Sequence, residues 1–114
     1  MAGRFEITTR STGEFQFNLL AGNGQVILSS EGYAAKAACR NGIESVKKHS
    51  EHDEFFERLT DEDGRPYFNL KDANGQVIGH GQRYSSPTAR NNGIESVMIN
   101  APSARVVDRT LVEG

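Results

Sequence analysis

The sequence contains no tryptophan, and only one cysteine and three prolines, in 114 residues. Cys39 has no second cysteine to pair with, so an internal disulfide framework is excluded and a reducing, cytoplasmic setting is expected. No apolar run exceeds three residues, as in Val26-Ile27-Leu28, whereas a membrane-spanning helix needs about 20. No membrane association is expected, and no apolar targeting core follows Met1. Charge of one sign is not in excess: 13 Lys+Arg face 15 Asp+Glu, a net −2. That balance lacks the global positive field of a protein that grips nucleic acid nonspecifically. Phosphate-binding loops, dinucleotide fingerprints, Ser-His-Asp arrangements and paired-Cys or His-Glu-x-x-His metal patterns are all missing. No catalytic residue, cofactor or metal site is therefore assigned.

What is present is a repeat. Shifted by 51 positions, residues 5–55 match residues 56–106 without a gap and with 20 identities. Phe17-Asn18-Leu19 matches Phe68-Asn69-Leu70, and Asn23-Gly24-Gln25-Val26-Ile27 matches Asn74-Gly75-Gln76-Val77-Ile78. Tyr33 matches Tyr84, and Asn41-Gly42-Ile43-Glu44-Ser45-Val46 matches Asn92-Gly93-Ile94-Glu95-Ser96-Val97. No Pro-, Gly- or Ser-rich linker separates the copies, and a 51-residue unit is near the lower limit for folding alone. The chain, 1–114, is expected to form one pseudo-symmetric domain, with repeats 5–55 and 56–106. A third echo, Val107-Asp108-Arg109 against Phe56-Glu57-Arg58, predicts a strand over 107–111 closing the second copy.

Within one copy, alternation predicts strands at Arg4–Thr8, Phe15–Leu19 and Gln25–Glu31. Asn23-Gly24 predicts a two-residue type I′ hairpin, which would set Leu19 against Leu28 and Ala21 against Val26. Phe15, Phe17, Leu19, Val26 and Leu28 then share the core face. Gln16, Asn18, Leu20, Ile27 and Ser29 take the other. Ala34–His49 reads as a helix whose inner stripe is Ala35, Ala38, Cys39, Gly42, Ile43 and Val46. Ser86-Pro87 marks the start of the second helix and Asn100-Ala101-Pro102 its end. A glycine in mid-helix costs about 1 kcal/mol against alanine, so Gly42 and Gly93 imply close packing of the helix backbone. The fold class is α+β: duplicated β-β-β-α units, an antiparallel sheet with two helices on one face.

The Asn-Gly-Gln-Val-Ile hairpin, Ser30-Glu31-Gly32-Tyr33 before the helix, and Asn-Gly-Ile-Glu-Ser-Val resemble the YegP-like family of short bacterial tandem-repeat domains. The resemblance implies the duplicated fold and brings no activity with it. Copy two departs from the pattern at Gly81-Gln82-Arg83.

Candidate functional residues come from the polar positions that the core does not require. Asn41 and Glu44, with Asn92 and Glu95, are outward-facing, spaced i, i+3 on a helix ridge and identical in both copies. Asn18 and Asn69 hold the same status on the open sheet face. These six are the candidate surface of a small non-enzymatic binding or interaction module, a protein being one class of partner, while side-chain bonds to a loop or helix end would be their structural reading. Lys36, Arg40, Lys47 and Lys48 give helix one a basic outer face, and weak nucleic-acid binding through it is the alternative. An enzyme would need a concave site with perturbed titratable groups. His49 and His52 read as a solvated helix end, Cys39 as a small residue at the stripe's boundary, and His80 as a polar residue on the open sheet face. A monomer or weak homodimer is expected.

Overall fold

The computed structural model describes residues 3–111. Seven strands form one sheet: β1 (Arg4–Thr9), β2 (Phe15–Leu20), β3 (Val26–Ser29), β4 (Phe56–Thr60), β5 (Pro66–Lys71), β6 (Val77–His80) and β7 (Arg105–Asp108). Helix α1 (Lys36–His49) follows β3, and α2 (Pro87–Asn100) follows β6. The strand order is β4-β5-β6-β3-β2-β1-β7. The 51-residue shift is exact in three dimensions: Phe5 faces Leu19 and Phe56 faces Leu70, while Ile7 faces Phe17 and Arg58 faces Phe68.

The halves meet at one antiparallel pair, Ser29 opposite His80, which are equivalent positions in the two copies. A local twofold axis therefore passes through this seam. The helices cross it. α1 packs on β2 and reaches β5 and β6, and α2 packs on β5 and reaches β3. The core lies between sheet and helices. Phe5, Ile7, Phe17, Leu19, Leu28, Phe68 and Leu70 from the strands meet Cys39, Ile43, Val46, Ile94 and Val97 from the helices.

Three details differ from the sequence expectation. The Asn23-Gly24 turn is a three-residue loop, not a two-residue one. Gly24 N–H donates to the Ala21 carbonyl, Ala21 N–H to that of Gln25, and only Gly24 has positive φ (85°). That is a type I turn closed by a left-handed glycine. The strand then bulges, so Leu19 faces Leu28 but Leu20, not Ala21, faces Val26. The extra residue, Ile27, enters the core, and Val26 is left half-buried. Second, α1 starts at Lys36, and Ala35 and Ala38 are exposed. Cys39, expected at the boundary, is fully buried. Ser86 does cap α2, its hydroxyl accepting the Ala89 N–H at 3.1 Å. Third, the closing strand is Arg105–Asp108 and not 107–111. It pairs parallel to β1 of the first copy, with Phe5 against Val106 and Ile7 against Asp108.

The mid-helix glycines answer to tyrosines. A Cβ on Gly42 would lie 2.5 Å from the Tyr33 hydroxyl oxygen and 3.0 Å from its ring, and Gly93 is approached by Tyr84 in the same way. Each ring also stacks on a core phenylalanine, Phe17 or Phe68. Gly42→Ala is expected to destabilise the protein by about 1–2 kcal/mol, because overpacking outweighs the ~1 kcal/mol gained in helix propensity. In a Tyr33→Phe background the cost shrinks. Urea melts of the four-member double-mutant cycle check this.

Candidate functional site

Two surfaces carry the copy-identical polar residues. On the open sheet face, one cross-strand row runs Glu6, Asn18, Ser29, His80, Asn69, Glu57. It is a palindrome about the seam except at its centre, where serine meets histidine. Much of it is internally satisfied. His80 Nδ1 lies 3.0 Å from Asn69 Oδ1, and His80 Nε2 lies 3.3 Å from Glu31. Glu6 accepts from Arg4 and Arg109, whose hydrogen bonds hold its carboxyl below the usual range. Lys71 binds Glu57 at 2.9 Å. This face is a knit polar surface, and Asn69 is one of its bonded members.

The helix side is different. Asn41, Glu44, Asn92 and Glu95 are all exposed. None takes part in a hydrogen bond or ion pair among the described residues. Two clefts lie between the copies, and the one lined in part by Asn92 borders the ridge. One, of about 280 Å³, is lined by Asn23, Gln25 and Ile27 of the first copy and by Tyr84, Asn92, Gly93 and Ser96 of the second. The other, of about 430 Å³, is lined by Glu31, Gly32 and Tyr33 of the first copy and by Gln76, Val77 and Ile78 of the second. Both set the hairpin of one repeat against the tyrosine of the other, Gln25 and Ile27 with Tyr84 or Gln76 and Ile78 with Tyr33. Burial pushes both tyrosine hydroxyls above their ordinary pKa, so they stay neutral. The clefts therefore offer amides, a hydroxyl and aliphatic surface, and the one beside Tyr33 adds the Glu31 carboxylate. Sequence reading left Tyr33, Tyr84, Gln25 and Gln76 out of the candidate site. Their identity between copies was the available signal, but the strand and turn pattern had already absorbed it.

The basic face of α1 is largely engaged. Lys36 Nζ lies 2.9 Å and Arg40 Nη2 3.2 Å from the carboxylate of Asp108 on β7. Lys47 sits 5.9 Å from the Phe5 ring centroid. Of the four, Lys48 is exposed without such a partner among the described residues. The arrangement ties down the closing strand and leaves no continuous cationic strip.

The remaining candidates are structural. His49 is not solvated: its ring is buried, Nδ1 lies 2.8 Å from the Ser45 carbonyl, and Nε2 accepts the Ala73 N–H at 3.1 Å. It thereby pins the β5–β6 hairpin of the other repeat to the end of α1. Burial raises the Cys39 thiol pKa, the opposite of nucleophile activation. No group of three side chains able to hold a metal ion occurs among the described residues.

The same fold recurs in known proteins. A family described as a domain of unknown function (DUF1508) matches twice, over residues 11–57 and 61–108. A UPF0339 protein of Acinetobacter baylyi is 51% identical over 110 residues, covering 96% of this chain and 99% of its own. The solution structure of yegP from Escherichia coli, titled a protein of unknown function, superposes with a TM-score of 0.92 at 44% identity, covering 99% of this chain and 97% of that one. A UPF0339 protein of Shewanella oneidensis does so with a TM-score of 0.89 at 46% identity, covering 95% and 92%. The family's unit begins before β2 and ends on the strand after each helix, so β4 and β7 are counterparts in it.

Asp108 gives a pH-dependent test. Hydrogen bonds from the Thr110 hydroxyl, the Lys36 ammonium and the Thr110 N–H hold its carboxyl far below the usual range. A depressed native pKa adds stability above the unfolded value of about 3.9, and that stability is lost as pH falls toward the native one. Asp108→Asn is expected to lower stability by about 1–2 kcal/mol at pH 7. The gap from the parent protein should narrow steadily below about pH 4, as followed by denaturant melts.

Proposed function

Because the chain belongs to the DUF1508 family, a domain of unknown function that it carries twice, we propose that it works as a small non-enzymatic binding module with two equivalent contact surfaces. Each surface is a helix ridge, Asn41 with Glu44 or Asn92 with Glu95, and the cleft lined in part by Asn92 extends the second. The observation that carries this reading is the lack of internal partners on the ridge. A side chain kept for folding is expected to bond within the fold, and these four, identical in both copies, do not among the described residues. A binding role needs no catalytic constellation, and the twofold repetition suits a partner that is itself repeated or paired. The expected partner is a protein, because the clefts are open and mixed in polarity, with Glu31 the one charged side chain in their lining. No helix among the described residues is long and apolar enough to cross a membrane. With a single reduced cysteine, the working location is the cytoplasm.

The test is quantitative capture from the native cell extract with the parent protein and with a variant carrying Asn41→Ala, Glu44→Ala, Asn92→Ala and Glu95→Ala. All four positions are exposed, so the variant should melt within about 0.5 kcal/mol of the parent. Parent-specific partners are expected to be lost from the variant and weakened by alteration of one copy alone. Identical capture by both proteins would overturn the ridge as the contact surface.

A further inference from the structure

The twofold relation is broken at the sheet's two edges. β1 carries β7 on its outer side, whereas β4, its counterpart, has no strand outside it among the described residues. Since β1–β2 and β4–β5 share one register, the β7 position can be transferred by the 51-residue shift. A strand placed on β4 as β7 lies on β1 would set its Val106 equivalent against Phe56. Its Val107 equivalent would face Glu57, and its Asp108 equivalent would face Arg58.

The vacant position has matching chemistry. Arg58 replaces the fully buried Ile7 on the helix-facing side of its strand, where it donates to Asn91 of α2 at 3.2 Å. Arg90 of α2 reaches the Leu59 backbone carbonyl of β4 at 3.4 Å. Between β4 and α2 runs a cleft of about 240 Å³ lined by Asp53, Arg58, Asn91, Ile94, Glu95 and Met98. In the occupied half, the acid at the end of β7 is held by two cations, Lys36 and Arg40. Their counterparts here, Pro87 and Asn91, are neutral. Arg58 and Arg90 instead bring the positive charge to that end of the slot. Arg58 is meanwhile occupied by exposed Asp53 at 2.8 Å, a partner that an incoming carboxylate can replace.

We propose that the outer edge of β4 is a docking slot for an extended segment of a partner protein. The segment runs parallel to β4 and carries two aliphatic residues followed by an acidic one, the acid meeting Arg58 and Arg90. The mode is strand addition, in which main-chain bonds give affinity and alternate side chains give specificity. The chain's own β7, Arg-Val-Val-Asp, is the internal template. The slot's cleft borders the ridge at Glu95, but Asn41 and Glu44 lie outside it, so substitutions at those two test the ridge without touching the slot.

The probe is a capped synthetic peptide with the sequence of Ala104–Thr110, titrated into the full chain and followed by amide chemical shifts. Saturable shifts confined to Phe56–Thr60 and the facing turn of α2 are expected, with a dissociation constant on the order of 1 mM or tighter. Arg58→Gln should weaken binding by about fivefold, and Asp53→Asn should strengthen it. A peptide with its aspartate changed to asparagine should bind more weakly, and a variant limited to Asn41→Ala and Glu44→Ala should bind as the parent does. Absence of saturable shifts, shifts centred on β1 and β7 through strand exchange, or equal affinity for the acidic and amide peptides would each overturn the proposal.

Discussion

A three-stranded sheet with one apolar face cannot remain single in water, and the two copies of this unit are joined along the ladder by one pair, Ser29 with His80. The joint is therefore made above the sheet. α1 extends over β5 and β6, α2 over β3, and each contributes buried residues to one continuous core. Everything else follows from that crossing. Glycines sit where the tyrosines press on the helices. His49, at the end of α1, holds the hairpin of the other repeat. One cleft lies where the first copy's hairpin meets the second copy's helix. Without apolar burial across the seam, a unit of this size would bury too little surface to fold securely.

The duplication and the alternation of strands were legible because both are written in residue order. Phe5 with Ile7 and Phe17 with Leu19 announce their face by period two, and the helix stripe of Cys39, Ile43 and Val46 by period 3.6. The places where reading failed are those decided by one inserted residue or by distant neighbours. Asn-Gly permits both a two-residue turn and a three-residue loop, and the choice moved Ile27 into the core. Ala38 matches the apolar stripe, yet nothing covers it at the start of α1, so it is exposed. The echo at the end of the chain identified a strand, but its partner depends on the twofold arrangement of the whole. That arrangement sends it to β1 and not to the second copy.

The candidate site was half legible. The helix ridge stood out because polar identity without a core role is visible in an aligned repeat. The basic face of α1 also stood out, and in the structure it is spent on Asp108, about seventy residues away. No local pattern could reveal that pairing. Repetition thus marked candidate surfaces that composition alone did not.

The parallel contact of the first and last strands has a mechanical side. β1 and β7 point the same way, joined along Arg4 to Ile7, and the contact is reinforced by the Arg109–Glu6 and Asp108–Lys36 pairs. A pull applied to the start of β1 and the end of β7 acts in opposite directions along adjacent strands. The cross-strand bonds would then carry the load together and rupture as a set, not peel one after another. The closing strand makes this protein a clasp that resists tension along its own chain.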